Sequence, residues 1–348
     1  MKRITLEELS AEINVSRTTL YKVLNNKGNV SERTHQKVLE SLKRYNYVPN
    51  LNARDLAHSK QYPIAYIGMD HVGARYFRKM TERGMQKAQA VYSDNGLALT
   101  CRYSDSENPG QQIDDIDQML EAGVKDFIIT PSEPAILSDK IKELRKMGCR
   151  ILYLSRYVDE PQKAYVGVDY YQSGCLAAEM LSKMLPTGGK TVILLYKTLG
   201  DDQDIGLRYA GFVDYVNKHK TLDIVCVRDK IESGVDVTEF CENLLKLYPD
   251  MKAIYDISYK TSVIADVLTA MESDQSVKLA GFDIYDEAVP YIKSSAIDFM
   301  VGQSLFSQAY EAVEKMFKQI CYGMEIEPVN YYSRLDVIVS SNVDYYPG

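Results

Sequence analysis

Residues 4–25, ITLEELSAEINVSRTTLYKVLN, predict two short helices joined by a tight turn. Thr5 stands just before LEEL and Glu8 three residues on. This is a T-x-x-E capping box, in which two side chains satisfy two orphan amides at a helix start. Leu6, Leu9 and Ile13 repeat at helical spacing and face a small core. Asn14 tolerates the left-handed conformation that stops a helix. Val15 packs into the turn, and Ser16 caps the next helix. That second helix runs from about Arg17 to Leu24, with Leu20, Val23 and Leu24 inward. Arg17, Thr18, Tyr21 and Lys22 are left outside, an arrangement that suits a DNA major groove. Arg17 or Lys22 would donate to guanine O6 and N7, and Thr18 would meet a base or a thymine methyl. A solvated charged face is the competing reading of the same helix.

Working outward, Val30, Ser31 and Glu32 open a third helix, completed by THQKVLESLKRYNY with Val38, Leu39, Leu42 and Tyr45 inward. Ser31 and Thr34 are placed to cap it or to touch phosphate, a contact that positions a protein without reading sequence. Pro49 ends this helix. NLNARDLAHSK then has helix formers but no wide apolar face, and alone it is too short for a stable helix in water. Leu56 is the one large exposed apolar residue in its C-terminal half. A leucine there would act as a wedge that partly unstacks a base step in the minor groove, or as a linker residue docked on the body.

Charge divides the chain in the same place. Residues 1–60 hold eleven Lys and Arg against six acids, whereas the remaining residues hold 30 bases against 42 acids, for a net charge of −7. A basic head on an acidic body points to a local polyanion site. The six cysteines form no C-x-x-C pair, and His35, His58, His71 and His219 are scattered, so disulfide, zinc and redox motifs are unsupported. No signal-peptide or membrane-spanning stretch stands out. The expectation is a cytoplasmic protein without cofactor or metal.

The run TLEELSAEINVSRTTLYKVLN, then VSERTHQKVLESLKRYNYVPNLNARDLA, resembles the head and hinge of the lactose/galactose repressor family of bacterial transcription regulators. The pattern V-S-x-x-T-x-x-x-V-L-N, then V-S-x-x-T, then Y-x-P-N-x-x-A-R-x-L carries the resemblance. It implies base reading by Arg17, Thr18 and Lys22, a backbone contact by Asn25, and a minor-groove pair in Ala53 and Leu56. Thr5, Leu6, Ser16, Ser31, Thr34 and Asn50 complete the candidate DNA-contacting set. The family often has Gly at the place of Asn14, and Ser-Arg at the place of Tyr21-Lys22, so no operator sequence carries over. Asp55 adds a negative charge to the hinge.

From Ile64 the apolar runs IAYIGM, ALTCRY, DFIIT, RILYL, TVILLY, DIVCV, AIYDI and VKLAGF alternate with amphipathic stretches such as QQIDDIDQMLEAGV. Alternating βα units imply parallel sheets covered on both faces. Eight units make two sheets, with the LPTGGK turn near Pro186 as the start of the second half. The expected fold is an all-α helix-turn-helix head (1–49), a hinge helix and linker (50–62), and an α/β body of two doubly wound parallel-sheet lobes (63–348). Ligands in such sheets sit beyond the carboxyl ends of the strands.

No nucleotide, zinc-protease or hydrolase motif is present, and no catalytic set is expected. Asp70, His71, Tyr76, Phe77, Ser155, Arg156, Asp204, Arg208, Asp256, Ser258, Asp283 and Gln303 stand at strand ends instead. Carboxylates, amides and arginines around aromatic rings suit a polyhydroxylated ligand, and two arginines would also suit a carboxylated or phosphorylated sugar. Each of these residues has an ordinary alternative as a cap or surface ion pair.

The body resembles the periplasmic sugar-binding-protein fold used by the same repressor family. That resemblance implies a binding role for Tyr76 and Phe77 on the first helix, Arg156 after the fourth strand, Arg208 in R-x-x-G-F, Asp283 in G-F-D, and Gln303. Ser155 stands where sugar binders often have Asp, and Ser258-Tyr259 where Asn-Asp is common. The whole implies a homodimeric, allosteric regulator on a pseudo-palindromic double-stranded DNA operator, controlled by a sugar-like effector, with no membrane partner. A solute-binding protein for transport and a sugar-processing enzyme fused to a DNA-binding head are the rivals.

Overall fold

The computed structural model describes residues 6–24, 30–45, 61–70, 75–105, 108, 110–195, 202–228, 237–257, 259–270 and 277–346. The head is three helices: α1 (Leu6–Glu12), α2 (Arg17–Leu24) and α3 (Glu32–Arg44). Leu9, Ile13, Leu20, Val23, Val38 and Leu42 form its core, with Val15, Leu39 and Tyr45 packed alongside. Asn14 takes a left-handed φ of 49° between α1 and α2, as its position in the sequence requires.

The body holds two six-stranded sheets. The first contains β1 (Tyr62–Asp70), β2 (Leu97–Asp105), β3 (Asp126–Ile129), β4 (Arg150–Leu154), β5 (Tyr165–Gly167) and β11 (Asn330–Tyr332). The second contains β6 (Lys190–Leu194), β7 (Asp223–Arg228), β8 (Met251–Asp256), β9 (Lys278–Phe282), β10 (Phe299–Gly302) and β12 (Asp336–Ile338). Their orders are β2-β1-β3-β4-β5-β11 and β7-β6-β8-β9-β10-β12. The two lobes thus repeat one doubly wound topology, and among the described strands only the β10–β12 pair is antiparallel. In each lobe the order reverses beside the first strand, at β1/β3 and at β6/β8, and the carboxyl side of such a switch point is where ligands bind. β1 begins at Tyr62, one residue before the expected start of the body.

Helices cover both faces of each sheet: α4 (Arg75–Tyr92), α5 (Gly110–Glu121), α6 (Pro134–Lys146), α7 (Tyr170–Met184), α8 (Gln203–His219), α9 (Val237–Leu247), α10 (Thr261–Ala270), α11 (Val289–Lys293) and α12 (Leu305–Tyr322). Ile116 and Met119 of α5 are buried on the face that the periodicity of QQIDDIDQMLEAGV predicts. The second lobe starts earlier than the LPTGGK turn. Val168, Tyr170, Ala177, Ala178 and Leu181 already pack with Ile193, Phe212 and Ala280 of the second sheet. The turn near Pro186 only reverses the chain inside that lobe, between α7 and β6.

The chain passes between lobes three times: from β5 to α7, from β10 to α12, and from β11 to β12. α12 returns to the first lobe, where Ala309, Ala312, Val313, Met316 and Phe317 pack with Ile64, Tyr66 and Tyr92.

α7 and α8 meet backbone to backbone. A Cβ on Gly174 would lie 1.9 Å from the Arg208 carbonyl oxygen, and one on Gly211 would lie 1.9 Å from that of Tyr171. Rigid backbone on both sides leaves no flexible group to move. We therefore predict that Gly211→Ala lowers stability by about 1–2 kcal/mol. Overpacking costs roughly 1–3 kcal/mol, which outweighs the ~1 kcal/mol that Ala gains over Gly inside a helix. A denaturant midpoint equal to or above the parent's would contradict this close crossing.

Candidate functional site

The carboxyl ends of the two sheets face each other. The first lobe contributes Ser132 after β3, Ser155 and Arg156 after β4, and Tyr76 and Phe77 in the first turn of α4. The second lobe contributes Asp202 at the N-cap of α8, Asp204 and Arg208 within α8, and Asp256, Tyr259, Asp283 and Gln303 beyond β8, β9 and β10. Four non-glycine residues here have left-handed φ: Ser155 (61°), Tyr259 (59°), Asp283 (62°) and Ser304 (55°). Left-handed backbone at non-glycine positions is strained, and here it recurs at the strand ends that shape the cleft.

Arg156 is the central cation. Its Nη1 donates to the Ser132 carbonyl at 2.8 Å, within the first lobe. Its Nη2 donates to Asp202 Oδ2 at 3.3 Å, and its Nε pairs with Asp204 Oδ2 at 3.2 Å, both in the second lobe. Gln203 Nε2 donates to the Tyr157 hydroxyl at 3.3 Å beside it. Farther out, Lys79 of α4 meets Asp286 at 2.9 Å. Tyr76 packs against apolar residues of the second lobe. Burial, then the Asp283 charge, pushes its phenol well above the ordinary range.

Arg208 is buried among rings. Its guanidinium carbon lies 4.1 Å from the Phe282 ring centre, 5.3 Å from that of Tyr170 and 5.9 Å from that of Tyr259. Such stacking supports a cation in a site of low dielectric. Its Nε donates to the Asp204 carbonyl one turn earlier, at 3.2 Å. Asp283 is buried close by. Gln303 Nε2 donates to its Oδ2 at 2.7 Å. Burial pushes the Asp283 carboxyl up to about 6, against the opposing pull of the Gln303 hydrogen bond and the Arg208 charge.

Three of the strand-end residues have their side chains engaged elsewhere. The Ser155 hydroxyl donates to Gln308 Oε1 of α12 at 2.9 Å, and its carbonyl accepts from the Tyr165 and Tyr170 hydroxyls at 3.0 Å each. Ser155 therefore ties β4 to the crossing segments. Asp256 Oδ2 accepts from the Lys260 amide at 3.0 Å and the Thr261 hydroxyl at 2.6 Å, an end-of-helix role for α10. Asp70 pairs with Arg78 of α4, and Phe77 is half-buried in α4. The structure thus groups Arg156, Asp204 and Arg208 on one side and Asp283 with Gln303 on another. His71 and Ser258 lie outside the described residues. Asp202, Tyr170 and Phe282 are site residues that the sequence alone did not single out, and Tyr259 stood out only as a departure from the family pattern. Asp202 had a signal, an acid immediately before an amphipathic helix, but it stood among three aspartates in four residues, DDQD.

In the head, Ser16 Oγ accepts from the Thr19 amide at 3.1 Å, and Ser31 Oγ accepts from the Thr34 amide at 3.3 Å. Both serines are helix caps, as expected. Thr18 and Lys22 are exposed on α2. Thr5, Asn25, Asn50, Ala53 and Leu56 lie outside the described residues, as do the side chains of Leu6 and Arg17. Among the described residues no helix is long and apolar enough to cross a membrane, and no cluster of metal-ligating side chains is found.

Residues 64–323 match the family described as "Periplasmic binding protein domain", and residues 5–50 match "Bacterial regulatory proteins, lacI family". The chain thus joins a lacI-family head to a body that belongs to the periplasmic binding protein domain family. The Streptococcus mutans sucrose operon repressor is 24% identical to it over 324 residues, 90% of this chain and 92% of that one. The xylose/arabinose-binding protein XylF of Sulfolobus acidocaldarius is 19% identical over 299 residues, 80% of this chain and 71% of that one. Among solved structures, a protein assigned to the LacI transcriptional regulators from Bacteroides fragilis superposes with a TM-score of 0.71 at 20% identity, covering 83% of this chain and all of the other. An arabinose-binding solute-binding protein from Burkholderia graminis gives 0.72 at 19%, covering 83% and 99%. These structural likenesses speak to the fold.

The buried acid of this periplasmic-binding-protein-like body makes its stability depend on pH. The folded Asp283 titrates near 6, against an ordinary 3.8. Between those values the folded state holds more protons than the unfolded one. Stability therefore falls as pH rises from about 4 to about 6 and stays lower above that, by on the order of 2–3 kcal/mol. Asp283→Asn should remove that slope and raise the unfolding midpoint at pH 7. Parallel stability curves for parent and variant across this window would contradict the assignment.

Proposed function

We propose that this lacI-family chain is a sequence-specific DNA-binding transcription regulator, acting as a repressor, whose operator affinity is set by a small uncharged sugar held between the lobes. The arrangement is a head at 1–49, a hinge at 50–62 and an effector-binding, dimerising body at 63–348. Two chains pair so that two heads match a pseudo-palindromic operator. Sugar bound between the lobes changes the angle between them, and with it the spacing of the hinges. By linkage, DNA and sugar change each other's affinity by the same factor. The cytoplasm is where such a protein meets its DNA, and binding rather than turnover is its activity.

One observation carries the choice of an uncharged ligand. Arg156 already faces two carboxylates, Asp202 and Asp204, at 3.3 and 3.2 Å, and Asp283 adds another acid near Arg208. An anionic ligand would meet these acids rather than a free pair of arginines, so the phosphorylated or carboxylated sugar that two arginines alone would suit is disfavoured. Hydroxyls instead match the remaining donors and acceptors of Asp283, Gln303 and Asp204, with Tyr76, Phe77 and the Arg208 ring box as apolar walls. Repressors and sugar-binding proteins among the relatives support the same class. The basic, exposed α2 face separates this reading from a transport receptor.

Thermal-shift measurements on the full chain test the ligand class. D-arabinose, D-ribose or D-galactose should raise the midpoint by mass action, whereas D-glucuronate and glucose 6-phosphate should not. Stabilisation by the anionic sugars alone would overturn the reading. For the DNA arm, affinity for a palindromic site should fall steeply with salt, and Lys22→Ala and Leu56→Ala should each weaken it about tenfold or more. Salt-independent binding, or unchanged affinity in both variants, would count against the head.

A further inference from the structure

Asp202 holds two structural elements at once. Its Oδ1 accepts from the Asp204 and Ile205 amides at 3.1 and 3.3 Å, which caps α8. Its Oδ2 accepts from Arg156 Nη2 at 3.3 Å, across the lobe boundary. Both partners are almost fully buried: Asp202 is 3% exposed and Arg156 8%. Arg156 is fixed from behind by the Ser132 carbonyl. Ser132 is in turn held by Gln112 of α5, whose Oε1 accepts from the Ser132 amide at 2.9 Å and its hydroxyl at 3.0 Å. Gln112 Nε2 donates to the carbonyls of Gly68 and Thr130, at the ends of β1 and β3. A continuous hydrogen-bonded chain therefore runs from the switch point of the first sheet, through Gln112, Ser132, Arg156 and Asp202, into the first turn of α8.

We propose that Asp202 is a positioning residue that latches the two lobes through Arg156, so that the body closes without an effector and presents Arg156 already oriented. The latch is read from contacts between protein groups, so its test does not depend on which sugar the body binds. The geometry explains why an acid is needed at this N-cap. Ser, Thr or Asn would cap α8 as well as Asp, but only Asp supplies a charged acceptor to a buried guanidinium. Breaking such a pair from the Arg156 side would leave Asp202 and Asp204 buried together, so the informative change is on Asp202.

Asp202→Asn keeps the cap and removes the charge. Pulsed electron paramagnetic resonance on the full chain, without sugar or DNA, reads closure as the distance between spin labels on p-acetylphenylalanine at Lys142 in the first lobe and Lys246 in the second. The parent should show one short-distance population. Asp202→Asn should lower the closed-to-open ratio about tenfold, the weight of one charge-assisted hydrogen bond. Amide exchange at Asp204 and Ile205 should stay protected in the variant, which separates latching from capping. With Arg156→Lys, the effects should be non-additive in the double variant. The latch is overturned if the parent is already open, if the variant keeps the parent's distances, if the two substitutions add, or if opening follows only loss of α8 protection.

Discussion

Where two parallel sheets meet end to end, polar groups at the strand ends leave water together, and each must find a partner. Much of the body's architecture follows from this. Strand-end carbonyls of the first sheet are taken by Gln112 and Arg156. The Ser155 carbonyl, at the turn out of β4, is taken by the hydroxyls of Tyr165 and Tyr170. Tyr170 also reaches Gln303 Oε1 at 3.3 Å, so one phenol from α7 joins two of the crossing segments. The third crossing is pinned by the Ser333 amide on the Gly167 carbonyl at 2.6 Å, and Ser304 Oγ bonds Asp336 at 3.1 Å. Because the covalent crossings fix where the lobes can turn, these bonds lie close to any turning axis, whereas the Arg156 pair joins the lobes away from the crossings.

That division has an energetic consequence. Bonds at the crossings are local and survive a change in lobe angle, so they contribute little to the difference between open and closed bodies. Contacts off the axis are lost on opening, so they set the equilibrium. The exposed Lys79–Asp286 pair is screened by salt and is worth little. The buried Arg156–Asp202–Asp204 group is screened much less. Asp283 acts in the opposite sense, because its desolvation opposes the folded body at neutral pH. In the proposed regulator, latch and ligand would act on one equilibrium between lobe angles.

Much of this was legible from the sequence because it rests on long, repetitive signals. The capped helices of the head follow from Asn14, Ser16 and Ser31, whose roles are local. Eight apolar runs mark β1–β4 and β6–β9. The three-residue strands β5, β11 and β12 escaped because pairing, not composition, makes them strands. The lobe boundary was misplaced for a related reason. Pro186 and its glycines signal a chain reversal strongly, whereas the true crossing near Val168 and Asp169 offers only the isolated Gly167 and Asp169 and is fixed by what Tyr170 touches. At the site, position along the strand was readable but side-chain direction was not. Ser155 and Asp256 stand at strand ends like Arg156 and Asp283, yet one serves the crossings and the other α10. Asp202 was hidden among neighbouring aspartates, since only the fold decides which acid meets a guanidinium.

The order of elements limits how the cleft can address the head. β1 follows the hinge region and is a central strand, hydrogen-bonded to β2 on one side and β3 on the other. Such a strand does not deform under small loads, because cores resist change in volume and register. The end of β1 carries the Gly68 carbonyl held by Gln112, so the same strand receives the latch at its carboxyl end and follows the hinge at its amino end. A signal entering at Arg156 therefore has to leave the first lobe as a rigid-body movement rather than as a change within β1. In the proposed dimer, that movement becomes useful only because two first lobes move relative to each other. The spacing between two hinges then changes while each hinge keeps its own attachment.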